Sequence, residues 1–244
     1  MRMKPVGAAF LGVATWLSLC VPATAAPGTT TAPAADRQHA RVNCAKAKCV
    51  ALTFDDGPSS GTSRLLKLLK QGGARATFFV VGPQARSRPG LVARAHADGH
   101  EIGDHTERHP QLTGLSSGRI RQELSGTRRT ITKLTGTRPA LFRPPYGATD
   151  RRVAAEARRL GLAQILWDVD TRDWRDRNSS IVARRAISGL HRGAIILMHD
   201  THPTTIAAVP RILRTAKARG YTLVTVSELL GSPVPGRVYR HGRR

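Results

Sequence analysis

Short apolar runs alternate with amphipathic segments along most of the chain, and this alternation predicts strands and helices in turn. The clearest helical segment, 62–71, carries four leucines and ends at a pair of glycines. The predicted strands are 50–54, 76–81, 101–104, 140–143, 163–169, 194–198 and 222–226. The predicted helices are 62–71, 84–98 with a break near Pro89, 116–134, 151–160, 180–190, 205–218 and 227–230.

Strands that alternate with helices in this way are typical of an α/β fold with a parallel sheet. The pattern alone fits either an open doubly wound sheet or a (β/α) barrel. Several polar residues follow directly after predicted strands: Asp55, Asp56, His105, Arg143, Asp170 and His199. Strand ends converge on one rim in a barrel, whereas they spread along an edge in an open sheet. We therefore predict a (β/α) barrel with about seven parallel strands.

The first 25 residues have the pattern of a secretory signal peptide. A basic start precedes a small apolar run at 6–21, and Ala23-Thr24-Ala25 offers a cleavage site. An uncleaved membrane anchor is the alternative, but the run is shorter than the ~20 residues that a spanning helix needs. We expect a secreted or cell-wall-associated protein, not stably inserted in the membrane after cleavage. The predicted segments are a signal peptide (1–25), a flexible Ala/Thr/Pro-rich linker (26–43), a folded domain (44–231) and a basic C-terminal tail (232–244).

Two cysteines, Cys44 and Cys49, follow the predicted leader. Disulfides persist in exported proteins, so two cysteines close together in such a chain predict a local disulfide bridge. A cysteine metal site is the weaker interpretation, because the sequence lacks the second cysteine pair that such a site would use.

The chain is strongly basic, with a formal net charge of +23. A protein with this charge associates with polyanions, and an exported protein meets anionic cell-wall polymers first. The basic residues are spread along the sequence, and five Phe, three Tyr and three Trp offer few platforms for base stacking. This composition argues against nucleic acid as the partner. A charged surface that only keeps the protein soluble is the plainer interpretation, and both stay open here.

Two carboxylates and two imidazoles form the strongest candidate site. Asp55 and Asp56 end the first predicted strand, and His105 and His109 are four residues apart. Helical spacing would put both imidazoles on one face, where they and one carboxylate would form a 2-His-1-Asp metal site. The second carboxylate would then be free to act as a base, which predicts a hydrolytic centre. Thr106 breaks the H-E-x-x-H pattern and argues against a zinc peptidase of that class.

Three further segments are ordinary when taken alone: a stiff proline turn at 143–147, a loop rich in acids and aromatics at 167–174, and a histidine at the end of the strand 194–198. In this order, and together with the acidic pair and the histidines, they resemble the polysaccharide deacetylases. This family is the NodB homology domain of carbohydrate esterase family four. The matching signatures are 53–57 (TFDDG), 105–109 (HTERH), 143–146 (RPPY), 170–174 (DTRDW) and 197–199 (LMH).

The resemblance implies a distorted (β/α) barrel and a divalent metal, Zn²⁺ in the first place and Co²⁺ as an alternative. Asp56, His105 and His109 would hold this metal. Asp55 would be the general base that takes a proton from water. Arg143 would pair with Asp55 and keep it oriented and ionised.

The resemblance also implies the groups that complete the reaction. His199 would be the general acid that protonates the departing amine, and Asp170 would orient His199 and keep it charged. The backbone N–H of Tyr146 would stabilise the oxyanion. Trp174 and Leu197 would form the walls of the acetyl pocket.

The implied function is hydrolysis of N-acetyl groups on an acetylated polysaccharide, with peptidoglycan or chitin-like oligomers as substrates and 44–231 as the catalytic domain. The same centre would also serve an O-acetyl esterase acting on acetylated xylan. A non-catalytic basic protein that coats the cell wall is a further alternative, motivated by the charge. A metal-independent amidohydrolase acting on small ureides is disfavoured, because those relatives alter the acidic pair that is intact here.

Overall fold

The computed structural model describes residues 42–242. The predicted signal peptide and most of the predicted linker lie outside the described residues. The strands are β1 (Lys48–Asp55), β2 (Thr77–Val80), β3 (Glu101–Asp104), β4 (Leu141–Phe142), β5 (Ala163–Ile165), β6 (Val169–Asp170), β7 (Ile195–His199), β8 (Tyr221–Val224) and β9 (Val238–Tyr239). The helices are α1 (Thr62–Gln71), α2 (Gly82–Ser87), α3 (Pro89–Ala97), α4 (Ser117–Thr135), α5 (Arg151–Arg159), α6 (Asp173–Asp176), α7 (Ser179–Ser188), α8 (Pro203–Ala218) and α9 (Val226–Leu230).

All strand pairs of the described residues are parallel, and they form one sheet in the order β6-β7-β1-β2-β3-β4-β5-β9, with β8 beside the first half of β1. With its helices, this curved sheet is an α/β half-barrel, and the predicted fold class is confirmed. The described strands outnumber the predicted ones for two reasons. The run 163–169 divides into β5 and β6, and the C-terminal segment adds β9.

The central strand β1 is buried on both faces, which explains its continuous apolar run. Its side chains alternate between two packing environments. Val50, Leu52 and Phe54 pack in the core cluster that includes residues of the helices. Cys49 and Ala51 pack in a second cluster with side chains of β2, β4, β5 and β7. Asp55 continues this second row, so the row changes from apolar to charged at the carboxyl end of the strand.

The register of the strands brings the candidate residues to one rim. Asp55 at the end of β1 is the register partner of His199 at the end of β7. On the other side, Val80 of β2 pairs with Asp104, which immediately precedes His105. The predicted convergence of strand ends at a single mouth is therefore present.

The predicted break near Pro89 is present: the segment forms two helices, α2 and α3, because the chain leaves helical geometry at Arg88. Arg88 has φ of −135° and ψ of 57°, which are not helical angles. Pro89 follows and starts α3, since proline lacks the N–H that would continue the preceding helix and its fixed φ suits a first helical position.

The predicted disulfide between Cys44 and Cys49 is present, with the two Sγ atoms 2.06 Å apart. Cys44 precedes β1 and Cys49 lies within it, so the bridge links the entry segment to the central strand. In residues 42–242, no helix combines the length and the apolar character needed to cross a membrane.

The predicted basic tail, 232–244, contributes a strand over its described part. β9 pairs with β5, so that the Gln164 and Leu166 backbone N–H groups donate to Arg237 and Tyr239 carbonyls at 2.8 Å. Gln164 Nε2 also donates to the Gly236 carbonyl at 2.9 Å. A boundary at residue 231 therefore leaves out a strand that the sheet uses.

We expect a chain ended after Gly231 to be less stable than the full chain. Truncation removes several backbone hydrogen bonds, each worth roughly 0.5–1.5 kcal/mol, and uncovers the edge of β5. Thermal unfolding should show a melting temperature lower by roughly 5 °C or more. An unchanged melting temperature would mean that β9 adds nothing to the domain.

Candidate metal centre and active site

The acidic pair lies where the chain leaves β1. The Asp55 side chain is 3% exposed, whereas Asp56 follows with φ of 70°. A left-handed conformation is uncommon for a residue other than glycine, and it turns the chain sharply. Both carboxylates consequently reach His105, whose Nε2 lies 3.8 Å from Asp55 Oδ2 and 3.4 Å from Asp56 Oδ1.

His105 and His109 lie in a loop after β3, so the prediction that they share a helical face is wrong. Thr106 and His109 have φ of 69° and 59°, which a right-handed helix excludes. The loop closes on itself, because Thr106 Oγ1 accepts a hydrogen bond from the His109 N–H at 3.0 Å. The two imidazole rings still lie 4.8 Å apart, centre to centre.

Three donor atoms converge at this point. Asp56 Oδ1 lies 3.4 Å from His105 Nε2 and 3.3 Å from His109 Nε2. Asp56 Oδ1 is buried and makes no hydrogen bond to any described residue, a costly state that a bound cation would relieve. His105 Nδ1 contacts the Arg143 carbonyl at 2.7 Å; since a carbonyl only accepts, Nδ1 carries the proton and Nε2 keeps its lone pair. Two imidazole nitrogens and a carboxylate oxygen suit a divalent metal such as Zn²⁺.

The charge states of Asp56 and His109 also suit metal binding. Burial raises the pKa of Asp56, but the close approach of His105 and the other neighbouring histidines outweighs burial and lowers it to about 2. Burial and the adjacent His105 lower the pKa of His109. An ionised carboxylate and a neutral imidazole are the forms in which these side chains bind metals.

Arg143 is fully buried beside Asp55. Its Nη1 donates to Asp55 Oδ1 at 2.8 Å and to Thr53 Oγ1 at 2.7 Å. Its Nε and Nη2 donate to the Ile165 and Leu166 carbonyls, both at 3.1 Å. Burial lowers the pKa of Arg143 while the Asp55 charge raises it, and arginine stays protonated in either case. The predicted contact is thus present, and it fixes one oxygen of Asp55.

His199 is held by Asp173, which is fully buried. Asp173 Oδ1 lies 2.8 Å from His199 Nδ1, and Oδ2 accepts from the His199 backbone N–H and the Thr205 hydroxyl, both at 2.7 Å. Burial would lower the pKa of His199, but the Asp173 contact and the charges of Asp55 and Asp56 raise it to about 9. The imidazole is therefore charged at neutral pH.

The predicted partner of His199, Asp170, makes a different contact, and its assignment needs correction. Asp170 Oδ1 accepts a hydrogen bond from the Arg172 backbone N–H at 2.8 Å. Arg172 has φ of 51°, and this turn carries the chain to Asp173 at the start of α6. Asp173 belongs to the DTRDW signature at 170–174, and an acid in the first turn of a helix is favoured by the helix dipole.

The residues predicted around the substrate lie at different depths. Tyr146 is 69% exposed, has φ of 61° and places its ring 4.9 Å from that of His109. Trp174 is 50% exposed. Leu197 is buried in β7, two residues before His199 and hence on the same face of the strand. Tyr146 therefore lies beside the ligand set, and Leu197 lies on the strand that ends in His199.

Together these groups combine three capacities at one rim. Asp55 offers a carboxylate oxygen, the set of Asp56, His105 and His109 offers cation ligands, and His199 offers a proton. Such a combination is suited to hydrolysis of an acyl bond, in which water loses a proton and the leaving group gains one.

The chain is similar in sequence to a known family and to two bacterial deacetylases. Residues 42–165 match the family described as polysaccharide deacetylase. The chain is 45% identical over 185 residues to the peptidoglycan-N-acetylglucosamine deacetylase PgdA of Listeria monocytogenes, covering 75% of this chain and 39% of that protein. It is 38% identical over 183 residues to the peptidoglycan-N-acetylmuramic acid deacetylase PdaC of Bacillus subtilis, covering 75% and 38%. The chain spans about two fifths of the length of these relatives.

A solved structure agrees with this placement. The fold is similar to that of a deacetylase determined with its substrate, with a TM-score of 0.78 and 40% sequence identity. The match covers 81% of this chain and 99% of that one. The resemblance drawn from the five signatures is confirmed: the chain belongs to the polysaccharide deacetylase family.

Proposed function

We propose that the chain is an exported, metal-dependent hydrolase that removes N-acetyl groups from a polymeric amino sugar. Peptidoglycan is the first candidate substrate, and chitin-like oligomers are the second. The observation that carries the proposal is the meeting of an ion-paired carboxylate, a 2-His-1-Asp ligand set and a charged imidazole at one rim. A protein that only coats the cell wall would have no use for this combination.

Asp55 is suited to take the proton from water. Arg143 holds its Oδ1 at 2.8 Å, whereas Oδ2 makes no hydrogen bond to a described residue. A divalent cation held by Asp56, His105 and His109, with Zn²⁺ as first choice, would polarise the acetyl carbonyl and acidify the attacking water. Because the two neighbouring acids face different partners, one serves as base and the other as ligand.

His199 is suited to protonate the leaving nitrogen. An amine leaves poorly without that proton, and Asp173 keeps the imidazole charged and oriented. An ester releases an alcohol, which needs less help, so the supported acid favours N-acetyl over O-acetyl substrates. The Tyr146 backbone N–H, on a left-handed turn at the rim, would stabilise the oxyanion, with Trp174 and Leu197 bounding the acetyl pocket.

The relatives narrow the substrate. One is named for N-acetylglucosamine and the other for N-acetylmuramic acid, and both names specify peptidoglycan. Peptidoglycan therefore stands ahead of chitin-like oligomers in the proposal. The Cys44–Cys49 disulfide supports export, because such bridges persist in oxidising compartments.

Removal of metal should abolish activity. After dialysis against a chelator, acetate release from peptidoglycan is expected to fall by roughly a hundredfold or more, because the carbonyl is then no longer polarised. Added Zn²⁺ or Co²⁺ should restore it. The measurement is enzymatic acetate determination, paired with the metal content of the same sample by mass spectrometry.

A ligand variant and a control variant distinguish loss of a metal ligand from loss of an acidic residue elsewhere in the protein. Asp56→Asn should hold little zinc and release little acetate. Asp168→Asn is the control, because Asp168 forms an ion pair with His191 at 2.9 Å, outside the ligand set, and should behave like wild type. Full activity in a sample proven free of metal would refute the proposed mechanism.

The corrected partner of His199 leads to a second expectation. In Asp173→Asn the carboxylate that raises the pKa of His199 is gone, so the pKa should fall from about 9 toward its ordinary value of 6.5. The imidazole would then lose its proton at lower pH, and the alkaline limb of the activity profile should move down. At pH 8 we expect a rate loss of roughly tenfold or more.

Imidazole NMR titration of the metal-free protein measures this pKa directly. Asp170→Asn is the matched control, because the new amide oxygen can still accept from the Arg172 N–H and the turn is retained. A lowered His199 pKa in Asp170→Asn, with none in Asp173→Asn, would restore the original assignment.

A further inference from the structure

The outer face of α4 carries a groove that is lined by cations and contains no acid. Its volume is about 540 Å³, and its lining residues are Ser125, Arg128, Arg129, Thr132, Lys133 and Arg138. None of the four cations forms an ion pair or a side-chain hydrogen bond within residues 42–242. Single unpaired arginines occur elsewhere on the described surface, but here four unpaired cations line one groove.

The cluster carries an electrostatic cost, which the charge of the buried Asp104, acting on Arg128, offsets only in part. Arg129 and Lys133 are four residues apart on one helix, where like charges repel. The Nε of Arg128 is buried and has no hydrogen-bond partner in the described part of the chain. In contrast, Arg121 on the same helix donates to Glu156 at 2.8 Å. An anion in the groove would supply the missing acceptors.

We propose that this groove binds a linear phosphate-bearing polymer that has no bases. Guanidinium groups match phosphate oxygens in bidentate pairs, and several cations in one groove suit an anion with repeated charges. Base stacking would need aromatic side chains, and none lines the groove. The groove lies on a helix outside the sheet, so binding there would hold the enzyme at an anionic matrix without occupying the catalytic rim.

Fluorescence anisotropy with a labelled inorganic polyphosphate chain tests the groove in the full-length protein. The groove variant combines Arg129→Gln, Lys133→Gln and Arg138→Gln. The control variant removes the same charge from exposed positions on α1 by Arg64→Gln, Lys67→Gln and Lys70→Gln. We expect the groove variant to bind roughly tenfold more weakly and with a shallower salt dependence, while the control stays close to wild type.

Two outcomes would overturn this proposal. Equal weakening in the groove and control variants would show that diffuse net charge explains the binding. Groove-dependent binding of single-stranded DNA that is tighter than binding of polyphosphate would show that the occupant is a nucleic acid. Acetate release from a neutral chitin oligomer should be unchanged in the groove variant, which confirms that it is folded.

A second and independent feature is the network behind the histidine loop (residues 105–109). The Thr106 carbonyl accepts from Thr127 Oγ1 at 2.7 Å and from the Gly82 N–H at 3.2 Å. These contacts tie the loop to α2 and α4. Glu107, the residue at the centre of the loop, points into the space between the same two helices.

Glu107 fills a space that two glycines leave open. A Cβ on Gly82 would collide with Glu107 Oε2, and a Cβ on Gly126 would come within 2.7 Å of the same atom. Arg86 donates to both carboxylate oxygens, and Thr127 Oγ1 lies 3.2 Å from Oε2. The carboxylate is therefore held on several sides by α2 and α4.

We infer that Glu107 is a positioning residue for the metal-binding histidines, an inference that rests on the proposed function. Glu107 lies between His105 and His109 in the chain, and its neighbour Thr106 and His109 itself are left-handed. Such conformations persist only where the surroundings hold them. The carboxylate paired with Arg86 supplies this hold from outside the ligand set.

Zinc affinity, measured by competition with a chromophoric chelator, reports the positioning directly. Glu107→Gln keeps the shape but loses the charged pair, and we expect its zinc affinity to fall by roughly tenfold to a hundredfold. The visible spectrum of the Co²⁺ form should change as well, because ligand geometry changes. The control is Glu156→Gln, which breaks another carboxylate–arginine pair, with Arg121, that makes no described contact with the loop.

A second pair of variants keeps the test valid if Glu107→Gln fails to fold. Gly126→Ala adds a methyl group against the Glu107 carboxylate, yet alanine favours the helix more than glycine does. Gly118→Ala on the same helix meets nothing within 4 Å and serves as its control. We expect weaker zinc binding in Gly126→Ala without a lower melting temperature, and wild-type binding in Gly118→Ala.

The possible failures are distinguishable. Zinc affinity within twofold of wild type in both Glu107→Gln and Gly126→Ala would remove this inference and leave the proposed function intact. An equal loss of zinc affinity in Glu156→Gln would show that general destabilisation explains the loss in Glu107→Gln. That result would also overturn the inference about Glu107. A wild-type protein that holds no zinc would refute the proposed function itself, and the inference with it.

Discussion

A fully buried guanidinium is the constraint on which the site depends. Arg143 is charged, has no exposed surface and lies 4.3 Å from the ring of Phe79. A buried charge is tolerated only when it is paired and hydrogen-bonded, and loss of one partner typically costs roughly 3–5 kcal/mol. Arg143, which directly follows β4, meets that condition. It joins Asp55 on β1 to the carbonyls of Ile165, the last residue of β5, and of Leu166, which follows it. The orientation of Asp55 is thereby tied to the integrity of the half-barrel.

The same constraint explains how two adjacent aspartates acquire different environments. Consecutive residues of a strand point to opposite faces, so a regular continuation of β1 would send Asp56 away from Asp55. The left-handed turn at Asp56 instead brings its carboxylate to the imidazoles at the rim. Arg143 holds Asp55 in the interior, where it is the register partner of His199. One acid is thus placed by the sheet and the other by the turn that ends it.

The apolar pattern predicted the sheet well where the strands are buried on both faces, as in β1. The apolar pattern failed where a side chain takes part in the hydrogen bonding between strands. The run 163–169 reads as one strand, but β5 pairs with β4 and β9 whereas β6 pairs with β7, where Asp168 Oδ1 accepts the Ile195 N–H at 3.0 Å. It also failed at β9, because a short basic segment has no hydrophobic period and pairs with β5 only through the tertiary fold. The hydrophobic period of a sequence indicates which residues are buried. The hydrogen bonds of Asp168 and of β9 form whether or not those residues are apolar.

The candidate site shows a different limit. The resemblance of the five signatures to a known family predicted most of the side chains that meet, but their backbone conformations could not be read from spacing. The non-glycine residues with positive φ at or beside the site are Asp56, Thr106, His109, Tyr146 and Arg172. Each conformation is locally unfavourable and re-aims a functional side chain or the one that follows it. The i, i+4 spacing of the histidines therefore suggested a helix. The prediction that Asp170 orients His199 named the wrong acid, because Asp173 makes that contact. A rim built from such turns requires a rigid support, and the parallel sheet with its buried Arg143–Asp55 pair provides it.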